Sequence, residues 1–180
     1  MTEERLFSRV VRVDALPRDG QVTTIEATPA ELEELASFYR LPAIAVLTAK
    51  VRLDPWGRGG ARVTGAVHAE LTQICVVSLE PFPAIVDEDV DVRFAPQTAG
   101  NSRSAATEET QTFSLVDEGE PDPIVDGKID LGVLTAEFFA LGLDPYPRRP
   151  GAVLNEESAT SEPTKSPFAA LARRDKAGSD

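Results

Sequence analysis

The chain has little of what catalytic and metal sites are usually built from. Its 180 residues include one cysteine, Cys75, and one histidine, His68. A single cysteine closes no intramolecular disulfide, and a four-ligand zinc site would need further soft ligands that one histidine does not supply. No metal and no cofactor is expected. Positive charge is scarce too: 18 Lys and Arg stand against 30 Asp and Glu, a net charge of -12. So acidic a chain repels phosphate backbones over most of its surface, which argues against broad nucleic-acid binding. No apolar run approaches the length of a bilayer span, and MTEERLFSRV holds no apolar core of signal-peptide length. The chain is expected in the cytoplasm, reduced and off the membrane. There is no βαβ alternation and no glycine-rich phosphate loop; the glycines of residues 57–60 read as a turn.

What is present has an ordinary globular composition, 42% apolar and 27% charged, at a length that holds one domain and tails. Residues 1–150 are expected to form that domain, with a mobile acidic loop at about 97–122 and a flexible tail at 151–180. The stretch that organises it is ARVTGAVHAELTQICVVSLEPFPAIVDEDVDVRFAP, residues 61–96. Val63, Gly65, Val67, Ala69 and Leu71 alternate with Arg62, Thr64, Ala66, His68 and Glu70, the period of a strand with one apolar face. Pro81 and Pro83 bracket Phe82 and are expected to force a corner. A second strand follows, with Val90, Val92 and Phe94 inward.

Ahead of this stretch, residues 6–16 read as a strand, PRDG at 17–20 as a turn, and 21–27 as a short strand. Thr28 is placed to cap a helix, with Pro29 at its first position and Glu31 where a capping box needs it. Leu32, Leu35, Ala36 and Tyr39 share its apolar stripe, and Pro42 stops it. Residues 43–53 form another strand, and DPWGRGG closes a hairpin, with Trp56 as an anchor over the sheet. Residues 98–111 offer little to bury, and the loop carries a short apolar patch further on, at Phe113 to Val116. Asp126-Gly127 then marks a turn, and Asp130 is the candidate cap of a second helix whose stripe is Leu131, Leu134, Phe138 and Leu141, ended by Gly142. The fold class is α+β: a bent, mostly antiparallel sheet or partly closed barrel, two covering helices and a disordered C-terminal tail.

Candidate chemistry is thin. His68 suits a general base, but it falls on the polar side of a strand, as a surface residue would. Cys75 lies among Ile74, Val76 and Val77, without the basic partner of a nucleophile, and reads as a small buried residue. Adjacent pairs such as Glu33/Glu34 diverge in direction, and the acids at 87–91 lack the glycine and register of a calcium loop. No catalytic residue is assigned. Basic residues cluster at Arg148-Arg149 and at Arg173, Arg174 and Lys176. Phe168 and Leu171 would form one face of a short helix with no core of its own, a face suited to a partner's groove.

The runs VTGAVHAELTQICVVSLEPF, DGKIDLGVLTAEFFALGLDPYPRRPG and SPFAALARRDK resemble, in this order, the YceD family of large ribosomal RNA subunit accumulation proteins, most closely its alphaproteobacterial branch. The likeness covers residues 61–150 and the last dozen residues; residues 1–60 share only the layout. The positions that carry it are Gly65, Gln73, Cys75, Leu79, Pro81 and Phe82, then Asp126, Gly127, Ile129, Asp130 and Leu131, then Pro145, Tyr146, Pro147 and Arg148. Many members have a C-x-x-C here and a later cysteine. Cys75 matches the first, Ser78 stands in place of the second, and no cysteine follows Pro150, so a metal role does not carry over.

The resemblance implies a non-enzymatic bacterial factor supporting accumulation or processing of large-subunit ribosomal RNA. Its expected partner is the large-subunit precursor, a ribosomal protein or an RNA-processing factor, with direct RNA contact weak at most. Arg149, Pro167, Phe168, Leu171, Arg173 and Arg174 are the candidate partner-binding residues. Two alternatives stay open: a small hydrolase or metal-dependent enzyme using His68, and a general adaptor with no ribosomal link.

Overall fold

A computed structural model describes residues 7–96 and 121–153. The expected acidic loop, short of its last two residues, and nearly all of the expected tail fall outside them, including Pro167, Phe168, Leu171, Arg173 and Arg174. The elements are β1 (Val10–Arg12), a 3-10 turn (Val13–Ala15), β2 (Gln21–Glu26), α1 (Pro29–Tyr39), β3 (Ala43–Trp56), β4 (Gly60–Ile74), β5 (Pro81–Pro96), β6 (Asp122–Ile124), β7 (Lys128–Asp130) and α2 (Leu131–Leu141).

β2 to β6 form a five-stranded sheet in sequence order, and β1 and β7 form a separate antiparallel ribbon. The large sheet is antiparallel except for β5–β6, which is parallel over Phe94–Pro96. It is open: β2 and β6 are its edges, so the barrel alternative is not realised. Its centre is the β3–β4–β5 meander, paired from Ala43↔Thr72 to Trp56↔Gly60 and from Ala61↔Phe94 to Ile74↔Pro81. The alternation read from the sequence is kept, with Val63, Val67, Ala69, Leu71, Val86, Val90 and Phe94 buried on one face. Gly65 sits where a Cβ would overlap the backbone of Lys50 and Val51, so β4 approaches β3 too closely there for any side chain.

Both helices cover that same face, α1 against β3 and α2 against β4 and β5. α1 starts as expected: the Thr28 hydroxyl accepts from the Glu31 amide, and the Glu31 carboxylate accepts from the Thr28 amide at 2.8 Å. Tyr39 joins the helices, donating to the Ala136 carbonyl at 3.0 Å and meeting Phe139 edge to face.

Three expectations change. The strand at residues 6–16 shrinks to β1, because the chain turns at Val13–Ala15 and only Val10–Arg12 finds a partner in β7. Pro81 and Pro83 do not make the corner; they lie within β5, opposite Ile74 and Thr72. β6 reaches β5 only at its last three residues, so among the described residues the proline end of β5 is an edge, where a missing N–H breaks no ladder. The apolar stripe of α2 is rotated: Leu131, Leu134, Thr135 and Phe139 are buried, while Leu141 is exposed. A helix apolar almost all round does not fix its own phase; the tether at its first turn does.

That tether is Asp130. Its carboxylate accepts from the amides of Gly132 and Val133, capping α2, and also from the Ser8 hydroxyl at 2.6 Å and the Arg9 amide at 2.8 Å. Arg9 in turn donates to both oxygens of Glu31 at 2.8 and 2.9 Å. The segment before β1 therefore ties together the first turns of both helices.

Candidate functional site

Apart from Gly65 within β4, the resemblance positions gather at the two ends of α2. At its start, Asp126 and Gly127 both take positive φ, 52° and 68°, and reverse the chain between β6 and β7 as a primed two-residue turn. Ile129 and Leu131 are buried beside it, and Asp130 caps the helix. Each has a structural duty there.

The far end of α2 differs. Residues 75–80 turn the chain from β4 to β5, and the run after α2, 144–151, is laid across that turn and the end of β4 by four hydrogen bonds. Val76 donates to the Pro147 carbonyl at 2.9 Å, and the Arg149 amide donates to the Cys75 sulfur at 3.4 Å. The Arg149 guanidinium donates to Glu80 at 2.8 Å, and Gln73, buried beneath, donates to the Asp144 carbonyl at 3.4 Å. Asp144 also accepts from the Tyr146 amide at 2.8 Å, a turn that stiffens the proline run. Phe82 is buried behind the turn.

Cys75 is the pin of this junction. It is fully buried, as expected, but its surroundings are not simply apolar. Ser78, then the Arg149 amide, direct N–H and O–H donors at the sulfur, which favours the thiolate and brings the thiol down from 9.0 to about 6. Ser78, in the position of the absent second cysteine, donates its amide at 3.4 Å. Among the described residues no cluster of His, Cys, Asp or Glu is placed to hold a metal ion.

Two large side chains on this junction are left in solvent: Leu79 is 75% exposed and Tyr146 73%. Leu79 also has φ 59°, the left-handed conformation, although it is neither glycine nor asparagine. For such a residue that conformation costs about 1–2 kcal/mol. Val76 and Ile74 are exposed beside them. Pro145 and Arg148 are exposed in the same run, Pro147 is half-buried, and Pro81 is exposed at the start of β5.

The sequence did not reveal Val76 or Glu80 as partners of the proline run, nor Ser8 and Arg9 as partners of Asp130. Only the pairing of distant segments makes them so. His68 lies on the sheet face opposite the helices, 2.6 Å from Asp87 and 3.9 Å from Glu70. These carboxylates, Asp87 foremost, raise its pKa, and the group is a surface ion pair.

The family model described as "Large ribosomal RNA subunit accumulation protein YceD" matches residues 63–173. The chain belongs to the YceD family. No curated protein and no solved structure matches it. The match begins inside β4 and takes in the junction at residues 75–80 and 144–151. It ends well beyond Val153, the last described residue, so SPFAALAR belongs to the family's unit. The YceD family is named for accumulation of large-subunit ribosomal RNA, which places this chain in ribosome biogenesis. Among the described residues no helix is long and apolar enough to cross a membrane.

Proposed function

We propose that this YceD-family chain is a non-enzymatic cytoplasmic factor that supports accumulation or processing of large-subunit ribosomal RNA by holding a protein of the assembly pathway. The junction of residues 75–80 with 144–151 is the rigid contact surface, and Phe168, Leu171, Arg173 and Arg174 form a second, tethered contact. The observation that carries this reading is Leu79, a bulky apolar residue held in solvent in a conformation that glycine would adopt freely. Backbone strain and exposure at one residue of a family motif are poorly explained by stability alone. The charge of -12 supports a basic protein partner, such as a ribosomal protein or processing factor, and limits direct RNA contact to local basic groups such as Arg148.

The test is a gradient profile of cells lacking the chain, complemented with wild type or with Leu79→Gly/Tyr146→Ala. Loss of large subunits and accumulation of their precursor RNA, restored by wild type but not by the variant, is expected. An unaltered ratio of large to small subunits in the deleted cells overturns the reading. Full rescue by the variant removes the junction from it.

A further inference from the structure

A groove of about 560 Å³ runs between α1 and the first residues of β3, floored by Leu32, Ala36, Leu41 and Ile44 with Glu33 on its rim. It exists because β2 is shorter than β3. The last paired rung is Glu26↔Thr48, followed by a bond from the Ala27 amide to the Leu47 carbonyl. Residues 43–46 then run on with no partner strand on that side among the described residues. The groove thus offers an apolar floor beside a strand edge, the two components by which proteins take up a short apolar peptide.

We infer that this groove is the resting place of the chain's own segment Phe168–Leu171. Four observations point to that occupant. The groove opens at the end of the sheet where the tail begins: Ala43 pairs with Thr72, Cys75 follows shortly after, and the Arg149 amide is bonded to Cys75 only four residues before the described chain ends at Val153. Phe168 lies fifteen residues beyond Val153, and a random-coil spacer of that number spans about 20 Å. Phe168 and Leu171 are three apart in sequence, a spacing that would put them on one side of a helical turn, and Arg173, Arg174 and Lys176 follow, with charge that suits Glu33 and its neighbour Glu34 on α1. The family match ends at residue 173, just past this segment. The tail's apolar face then has two competing sites, the groove and the partner, and a partner must lift it from the groove to use it.

The test is hydrogen exchange on the full chain, wild type against Phe168→Ala/Leu171→Ala, at two protein concentrations. The global melting point serves as the control. Exchange of the amides at residues 36–45 is expected to quicken about fivefold or more in the variant, equally at both concentrations. Ala45→Arg, on an exposed part of the groove wall, is expected to have the same effect. Equal exchange in wild type and in both variants overturns the inference. Protection that grows with concentration also overturns it, since a second copy would then be the occupant.

Discussion

Single residues carry much of the coupling between distant parts of this chain. Asp130 was legible as a cap, because capping needs only a short acceptor ahead of an apolar run, and Thr28 with Glu31 was legible for the same reason. The Ser8 and Arg9 bonds to Asp130 were not, being made across more than a hundred residues by a hydroxyl and a backbone amide with no local signature. Asp130→Ala removes a cap and leaves the Ser8 hydroxyl and the Arg9 amide short of a partner. A loss of about 2–3 kcal/mol in urea unfolding is expected, beyond the roughly 1 kcal/mol of an isolated cap. Glu31 gives a pH test. Arg9, followed by the Thr28 donors, holds its carboxyl down at about 2 from an ordinary 4.5. A lowered folded pKa means stability that is complete above the unfolded value and lost as acid approaches the folded one. Melting points are expected to fall between pH 4.5 and 2, with a shallower fall in Glu31→Gln. Cys75 behaves in the same sense at higher pH. Its ultraviolet thiolate signal is expected to titrate near pH 6, while alkylation stays slow because the sulfur is buried. Titration near 9 would mean that the donors from Ser78 and Arg149 do not hold the sulfur in solution.

At the level of elements, alternation and caps place β2 and α1 to within a residue and β3 to within three, and alternation reveals β4 and β5 without their ends, since each signal is periodic and local. What failed was phase and position where the pattern is uniform or the partner remote. Helical spacing puts Phe138 on the stripe of α2 where the structure buries Phe139, and the edge position of Pro81 and Pro83 cannot be read from composition. The turn that does bend the chain, residues 75–80, carries its own prediction. Leu79→Gly removes the left-handed penalty but adds freedom to the unfolded chain, so stability is expected to rise by up to about 1 kcal/mol. Partner capture is expected to weaken in the same variant, measured by quantitative pull-down. Stability gained with capture unchanged would show that the exposed side chain has no role in contact. Gly65→Ala makes the opposite point: the new Cβ must push β3 and β4 apart, and a loss of about 2–4 kcal/mol is expected in thermal unfolding.

On the scale of the whole molecule, the sequence announced an acidic α+β body through charge and alternation. It did not announce the junction, because residues 75–80 and 144–151 meet only after α2 has carried the chain back along the sheet. The topology also sets an order of events. β1 pairs with β7, so the first strand finds its partner only near the end of the domain. During synthesis the meander β3–β4–β5 can form while the chain is still tethered, yet the ribbon that fastens both helices must wait until residue 130 has emerged. A chain halted a few dozen residues early would hold a nearly finished sheet with its inner face uncovered, an invitation to premature association with other nascent chains.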